Sequence, residues 1–203
     1  MGTMSDSRDQ STPRFYTLTP GWGTKYYFAS VDTDSMGDAS VDWSYRDLAN
    51  FKGIAVLEII SGKAPGDFLR NDTLLMVVSD RVVAILREYG IKSFATYKVE
   101  VMRGGKKIAG YNGLAVLGRG GPNNPTAYKD GPMPGTSIQR IRGLSPTKWE
   151  GSDLFMLDDL YRVVLATERL KDIFKKEKVT NCLFEPAEEF AVGYPGHYLK
   201  TRK

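Results

Sequence analysis

The sequence contains "VVSDRVVAILREYGIKSFATY", residues 77–97, and repeats its pattern at a constant offset of 88 residues as "LATERLKDIFKKEKVTNCLFE", residues 165–185. In each stretch a short apolar run ends at a hydroxyl residue, Ser79 or Thr167, which is followed by an acid and an arginine. A hydroxyl oxygen can accept a hydrogen bond from a free amide in the first helical turn, and the acid opposes the helix dipole. Both stretches are therefore predicted to start a helix directly after the hydroxyl residue.

Each predicted helix has one apolar stripe, because apolar residues recur at helical spacing. The stripes consist of Val82, Ile85, Leu86 and Tyr89 in the first helix and of Leu170, Ile173 and Phe174 in the second. Gly90 can end the first helix in a left-handed conformation, and extended chain follows both helices. A strand-helix-strand unit used twice, at about 74–101 and 160–187, indicates an internal duplication or two halves related by approximate symmetry. The alternative is that two capped amphipathic helices share a pattern by chance.

Strand signals dominate the rest of the chain. "KYYFASV" (25–31) and "GIAVLEII" (53–60) have the composition of strands, and the "RGGK" turn at Gly104 and Gly105 predicts an antiparallel hairpin. Residues 118–136 are dense in Gly, Pro and Asn, which predicts a long loop. We predict an α+β fold with a mostly antiparallel sheet and a few helices in a single domain over 15–203. Residues 1–14 are predicted to be a disordered leader, with a cloning remnant at residues 1–3.

The composition is that of an ordinary globular protein, with 41% hydrophobic and 26% charged residues. No apolar run reaches the roughly 18 residues that span a bilayer, so no membrane partner is expected. The single cysteine, Cys182, cannot form an internal disulfide, which favours a reducing cytoplasm.

An acidic stretch, "VDTDSMGDASVDW" (31–43), invites comparison with a calcium loop. A calcium loop needs an oxygen ligand at its fifth place and a bidentate Glu at its twelfth, between two helices. Those places hold Met36 and Trp43, and a strand precedes the stretch. The sequence therefore predicts no metal and no other cofactor here, but an acidic segment that leaves a sheet edge. The candidate partner-binding residues are Asp32, Asp34, Asp38, Asp42 and Trp43.

No catalytic group is supported by a motif. His197 is the only histidine, Cys182 lies in an apolar run, and neither has the neighbours of a known catalytic site. Glu188 and Glu189 leave a small carboxylate-dependent enzyme as an alternative, although adjacent acids are usually solvated surface. "GRGGP" (118–122) lacks the Lys-Ser/Thr ending of a phosphate-binding loop.

A basic hairpin carries Lys98, Arg103, Lys106 and Lys107 against a single acid, Glu100. With a formal net charge of +4, this hairpin and the Gly/Pro-rich loop leave a nucleic-acid or phosphate-ligand binding module as an alternative function. No pattern of stacking aromatics or zinc-finger spacing accompanies the bases, so solubilising charge is the simpler interpretation.

The second helical unit resembles the immunity protein eleven family of bacterial polymorphic toxin systems, formerly a domain of unknown function. That family carries a Gly-x-Asp-Leu/Ile-Phe segment, a Ser/Thr-Glu helix start and a strand that closes on a proline. The matching residues here are Gly151, Asp153, Leu154, Phe155, Thr167, Glu168, Phe184 and Pro186. The glycine usual after the helix is missing near Glu177 and Lys178. The resemblance implies a protein without enzymatic activity that binds and neutralises a cognate bacterial toxin domain by occlusion.

Overall fold

The repeated stretches fold as two helices within a computed structural model that describes residues 13–40, 47–73, 75–128, 140–160 and 162–192. The helices are α1 (Asp80–Glu88) and α2 (Glu168–Lys176). The strands are β1 (Phe15–Pro20), β2 (Phe28–Asp32), β3 (Ala55–Ser61), β4 (Phe68–Asn71), β5 (Val77–Ser79), β6 (Phe94–Tyr97), β7 (Val99–Arg103), β8 (Lys106–Ile108), β9 (Tyr111–Val116), β10 (Gly118–Arg119), β11 (Ile141–Arg142), β12 (Leu154–Met156), β13 (Val164–Thr167), β14 (Cys182–Pro186) and β15 (Ala191–Val192). Short 3-10 helices span Thr33–Ser40, Asp47–Asn50, Pro125–Tyr128 and Ala187–Glu189.

These strands form two large sheets and one small ribbon. The eight-stranded sheet has the order β6-β9-β5-β4-β2-β3-β7-β8, the five-stranded sheet has the order β10-β12-β13-β1-β14, and β11 pairs with β15. Only β2 with β4, β3 with β7 and β10 with β12 run parallel among the described strands. The predicted α+β domain with a mostly antiparallel sheet is therefore confirmed. No helix in the described part of the chain is long and apolar enough to cross a membrane.

Both helices begin at the predicted hydroxyl caps. The Ser79 Oγ accepts a hydrogen bond from the Val82 amide, and the Thr167 Oγ1 accepts one from the Leu170 amide, each at 3.3 Å. The apolar stripes of α1 and α2 pack into one core with residues of both large sheets, and Tyr89 is only partly buried there. The helix starts predicted from the sequence are confirmed.

The similarity between the two units extends beyond the predicted strand-helix-strand pattern. The strands β4-β5-β9-β6 and β12-β13-β1-β14 have the same order, and every neighbouring pair is antiparallel in both sets. Even the register agrees, because Ser79 lies opposite Tyr111 in the first copy and Thr167 lies opposite Phe15 in the second. Each copy therefore comprises four strands and one helix.

The third strand of each copy comes from a different place in the chain. β9 follows the first helix, whereas β1 lies far upstream of the second, so the two copies are circularly permuted relative to each other. The side chains still correspond. The Asn112 Nδ2 donates to Asp80 at the start of α1, and the Tyr16 hydroxyl donates to Glu168 at the start of α2. Because β9 and β1 are not separated by the offset of 88 residues that relates the helices, the sequence pattern does not reveal that they are equivalent.

The amino-terminal arginines of the two helices cap each other's carboxyl ends. Arg81 of α1 donates from Nη2 to the Glu177 carbonyl after α2, and Arg169 of α2 donates from Nη2 to the Tyr89 carbonyl after α1 at 2.7 Å. The two helices therefore run antiparallel, and each arginine places positive charge beside the negative end of a helix dipole. The Tyr89 hydroxyl also donates to Glu177 Oε1 at 2.7 Å, which joins the two ends.

The helix ends are equivalent as well. Gly90 (φ 71°) and Lys178 (φ 53°) both adopt the left-handed conformation after the last helical residue. The amide two residues past each cap bonds the carbonyl five residues back, from Ile91 to Leu86 and from Val179 to Phe174, both at 2.9 Å. This is the Schellman arrangement, which favours glycine at the left-handed position. The first copy has that glycine, and the second holds a lysine under strain.

Replacing Lys178 with Gly is therefore expected to stabilise the protein by about 0.5–1 kcal/mol, because the left-handed conformation costs an L-residue more than it costs glycine. In a chain of this length that gain corresponds to a rise in melting temperature of about 2 °C. Thermal unfolding followed by circular dichroism measures the shift. The matched control is Lys175→Gly inside α2, which should lower the melting temperature, since glycine is unfavourable in a helix interior. A destabilised Lys178→Gly variant would contradict the argument.

Two further predictions meet different outcomes. The hairpin at Gly104 and Gly105 is confirmed, because β7 and β8 pair across that turn. The predicted long loop at 118–136 is only partly loop: it contains β10 and the 3-10 helix Pro125–Tyr128, while residues 129–139 lie outside the described residues. Gly118 allows β10 to pack closely, since a Cβ at this position would lie 2.2 Å from the Leu154 carbonyl oxygen.

Candidate functional site

The outward face of β2 carries the residues best placed to meet a partner. Ala29 and Val31 point into the core, so Phe28, Ser30 and Asp32 point outward by strand alternation. β2 lies between β4 and β3 inside the eight-stranded sheet. The expectation that the acidic segment follows an edge strand was therefore wrong. β4 pairs in parallel with the start of β2, and the sequence pattern does not reveal this crossover.

The acidic segment after β2 is held against the protein by local contacts. The Asp34 amide donates to Asp32 Oδ1 at 3.1 Å, and the Ser35 hydroxyl donates to the Asp32 carbonyl at 2.5 Å. The Val56 amide on β3 in turn donates to the Ser35 Oγ at 3.0 Å. Met36 is buried in the core. These contacts hold Asp32 and Asp34 on an ordered turn with exposed side chains.

The predicted partner-binding residues are only partly located. Asp32 and Asp34 are exposed at the end of β2, and Asp38 lies in the following 3-10 helix. Asp42 and Trp43 lie outside the described residues. The buried Met36 occupies the fifth place of the supposed calcium loop, so its thioether points into the core. Among the described residues no three His, Cys, Asp or Glu side chains gather as metal ligands.

A second group of residues at the other end of β2 combines two exposed side chains, Trp22 and Ile60, with two half-buried ones, Phe28 and Arg70. The Arg70 guanidinium lies over the Phe28 ring, with 4.4 Å to its centroid, and over the Trp22 ring, with 5.4 Å to its centroid. Its Nη1 also donates to the Trp22 carbonyl at 3.2 Å. Ile60 is on β3, next to Ser61, which pairs with Phe28 of β2. We call Trp22, Phe28, Ile60 and Arg70 the arginine–aromatic patch.

A β-bulge exposes Ile60. Phe28 pairs with Ser61, but the next residue, Ala29, pairs with Ile59, so Ile60 is the extra residue on β3. A bulge re-aims a side chain and sharpens the local twist. Ile60 is 58% exposed and Trp22 is 51% exposed, the two highest values among the large apolar side chains that the structure describes. Sequence analysis missed this patch, although a tryptophan between two glycines, "GWG" (21–23), signals an exposed ring.

The chain around the patch is rigid, because two segments hydrogen-bond to each other beside it. The Lys63 and Ala64 amides donate to the Lys25 carbonyl at 3.0 and 3.1 Å, and the Tyr27 amide donates to the Ala64 carbonyl at 2.9 Å. Gly62, with a φ of 97°, turns the chain directly before Lys63. This close approach fixes the backbone that carries both Trp22 and Ile60.

The predicted basic surface on the β7–β8 hairpin is less available than its composition indicates. Lys107 pairs with Glu100 at 2.8 Å. Arg103 lies over the Tyr27 ring, and its Nη1 donates to the Tyr27 hydroxyl at 3.0 Å. Glu58 accepts a hydrogen bond from the Gly104 amide at 2.7 Å, which brings a carboxylate to the hairpin turn. These contacts neutralise part of the positive charge.

The other candidate groups do not assemble into a reactive site. Burial raises the pKa of Cys182 to about 12, and the charge of Asp67 adds to that rise, so the thiol stays protonated at neutral pH. The amides in "GRGGP" are engaged, since Arg119 donates to Glu150 Oε1 at 2.7 Å and Gly120 donates to the Met156 carbonyl at 2.9 Å. Glu188 and Glu189 are exposed, and His197 lies outside the described residues.

Compared with models of protein families and with curated proteins, the chain has no match. The resemblance to the immunity protein eleven family therefore stays a prediction.

Proposed function

We propose that this protein is an immunity protein that acts in the cytoplasm without catalysis, by binding a cognate bacterial toxin domain and blocking it. The observation that supports this proposal best is the exposed pair Asp32 and Asp34 on a turn held by Ser35 and Met36. Acidic side chains on an ordered surface lose little conformational freedom when a partner binds, which favours affinity.

The chemistry of this surface suits a basic partner. Carboxylates that face a positively charged surface speed diffusional encounter and fix the register of the complex. Many toxins that attack nucleic acids have basic substrate-binding surfaces, and an acidic inhibitor competes for such a surface directly. Occlusion of the toxin requires no catalytic group on the inhibitor, which agrees with the unreactive environment of Cys182.

A charge-removal experiment tests the role of the acidic segment. Asp32→Asn together with Asp34→Asn keeps the oxygen that accepts the Asp34 amide but removes two charges. We expect association with the cognate toxin domain to slow about five-fold or more at low salt, with a weaker salt dependence than in the wild type. Surface plasmon resonance over a range of salt concentrations measures both effects.

The matched control removes the same charge elsewhere. Glu88→Gln with Asp172→Asn changes two exposed helix acids and should leave association unchanged. If both double variants bind alike, the acidic segment is not part of the interface. Co-expression of the wild-type protein with the toxin domain in a bacterial host tests the function itself, and death of the host despite co-expression would contradict the proposal.

A further inference from the structure

The Arg70 side chain is half-buried and has no acidic partner among the described residues. Its contacts there are the Trp22 carbonyl and the rings of Trp22 and Phe28. By comparison, Arg81 and Arg169 each pair with a carboxylate. Arg70 is therefore a cation whose charge remains available.

The rings prepare this cation for binding. Cation–π contacts with the Trp22 and Phe28 rings hold the guanidinium in place. A guanidinium has five N–H donors, and the Trp22 carbonyl takes only one of them. The free donors form a planar fork that matches a carboxylate, which accepts two parallel hydrogen bonds from such a group.

Apolar surface accompanies the cation. Trp22 and Ile60 are more than half exposed, and the bulge in β3 holds Ile60 outward next to Phe28. Tryptophan and arginine are the residues most enriched at the energetic centres of protein interfaces. A ligand that contacts Arg70 through an acid would therefore find apolar surface for a neighbouring side chain.

The acids nearby distinguish between two kinds of negatively charged partner. Asp72 accepts hydrogen bonds from the Ser30 hydroxyl at 2.6 Å and from the Val31 amide at 3.0 Å, and Glu58 lies opposite Ser30 on β3. Asp72 is two residues from Arg70 and Glu58 is two residues from Ile60, so a phosphate backbone, with a charge at every nucleotide, would meet negative charge beyond the patch. One carboxylate beside an apolar side chain fits the patch better than a nucleic acid does.

We infer that the arginine–aromatic patch is a docking surface for an acidic segment of a protein partner. A carboxylate of that segment pairs with Arg70, and an adjacent apolar side chain packs on Ile60 and the exposed ring of Trp22. This surface is separate from the acidic segment at Asp32 and Asp34, so the inference goes beyond the proposed immunity function and does not rest on it.

The test uses a defined probe, the peptide acetyl-Glu-Leu-Glu-Leu-Glu-amide, and an otherwise identical peptide with Gln in place of Glu. Titration at low salt is followed by amide and indole nuclear magnetic resonance signals of the full-length protein. We expect saturable shifts at Trp22, Phe28 and Ile60 with the acidic peptide and at least about ten-fold weaker binding of the Gln peptide, because a charge-assisted hydrogen bond is lost.

Variants assign the effect to Arg70. Arg70→Gln should weaken binding of the acidic peptide about ten-fold, and Arg70→Lys should restore only part of it, since an ammonium cannot form the fork. As the control, Arg87→Gln removes the charge of an exposed arginine on α1, and this variant should bind the peptide like the wild type. Unchanged chemical-shift dispersion of the remaining signals would show that the variants are folded.

Three results would overturn the inference. They are the absence of saturable shifts at the patch, equal binding of the Glu and Gln peptides, and tighter binding of a thymidine oligonucleotide than of the acidic peptide. The last result would assign the patch to phosphate recognition instead.

Discussion

Replacing Asp67 with Ala is expected to lower the free energy of unfolding by about 3 kcal/mol, because it leaves several buried or half-buried donors without a partner. The Asp67 carboxylate accepts hydrogen bonds from the hydroxyls of Ser79 and Thr180 at 2.7 and 3.0 Å, and from the Thr180 amide at 2.8 Å. It also pairs with Arg81 at 2.8 Å. Asp67 is 8% exposed, so water cannot replace these bonds easily.

The second copy of the repeat provides the matched control. Asp153 accepts from the Thr167 hydroxyl at 2.6 Å and pairs with Arg169, but among the described residues no counterpart of Thr180 donates to it. Asp153→Ala should therefore destabilise the protein less than Asp67→Ala. Urea denaturation of both variants measures the difference, provided that the slope of the transition is unchanged. An equal loss in the two variants would show that the Thr180 bonds contribute nothing.

The Asp67 carboxylate should also make the free energy of unfolding depend on pH under acidic conditions. Burial by itself raises the pKa of Asp67, but the hydrogen bonds from Thr180 and Ser79 and the charge of Arg81 outweigh burial and hold the pKa below the ordinary value of an aspartate. A depressed pKa stabilises the folded state above the unfolded pKa, and this contribution is lost as the pH falls through the folded pKa. The stability difference between the wild type and Asp67→Asn should be constant from about pH 5 to 7 and shrink below about pH 4.

The parts of the fold that sequence analysis predicted are local ones. A helix start depends on a hydroxyl, an acid and the stripe that follows, all within one short stretch, and the hairpin depends on two adjacent glycines. The rest depends on contacts between distant residues. Asp67 and Asp153 are 86 residues apart, whereas Ser79 and Thr167 are 88 apart, so an insertion of two residues hides the equivalence.

The candidate site shows the same limit. Its acidic part is visible as a cluster of like charges in sequence, and Asp32 and Asp34 are exposed as expected. The arginine–aromatic patch joins Trp22 to Arg70 across 48 residues of chain, and Ile60 becomes exposed only because a bulge shifts its strand. Alternation in β3 does not predict such a bulge. The acidic residues could therefore be predicted from the sequence, whereas the exposed apolar surface of the patch follows only from the tertiary structure.

Replacing Gly62 with Ala is expected to destabilise the protein by about 3 kcal/mol or more, because two separate costs add. The φ of 97° is unfavourable for an L-residue. A Cβ at this position would also lie 2.2 Å from the Tyr26 carbonyl oxygen and 2.6 Å from the Tyr27 Cα, both of them backbone atoms. Relief of this clash must separate the segments that bond through Lys25 and Ala64.

Gly90→Ala measures the cost of a positive φ without a steric clash. Gly90 also has a positive φ, of 71°, but a Cβ there would meet no atom within 4 Å. This variant should lose only about 1 kcal/mol. Denaturant titration compares the two variants, and hydrogen exchange at Tyr27 and Ala64 shows whether Gly62→Ala opens the segments locally. Because these segments hold Trp22 and Ile60 in place, we expect Gly62→Ala to weaken binding of the acidic peptide while Gly90→Ala leaves it unchanged. Equal peptide affinity in both variants would show that the patch does not depend on this turn.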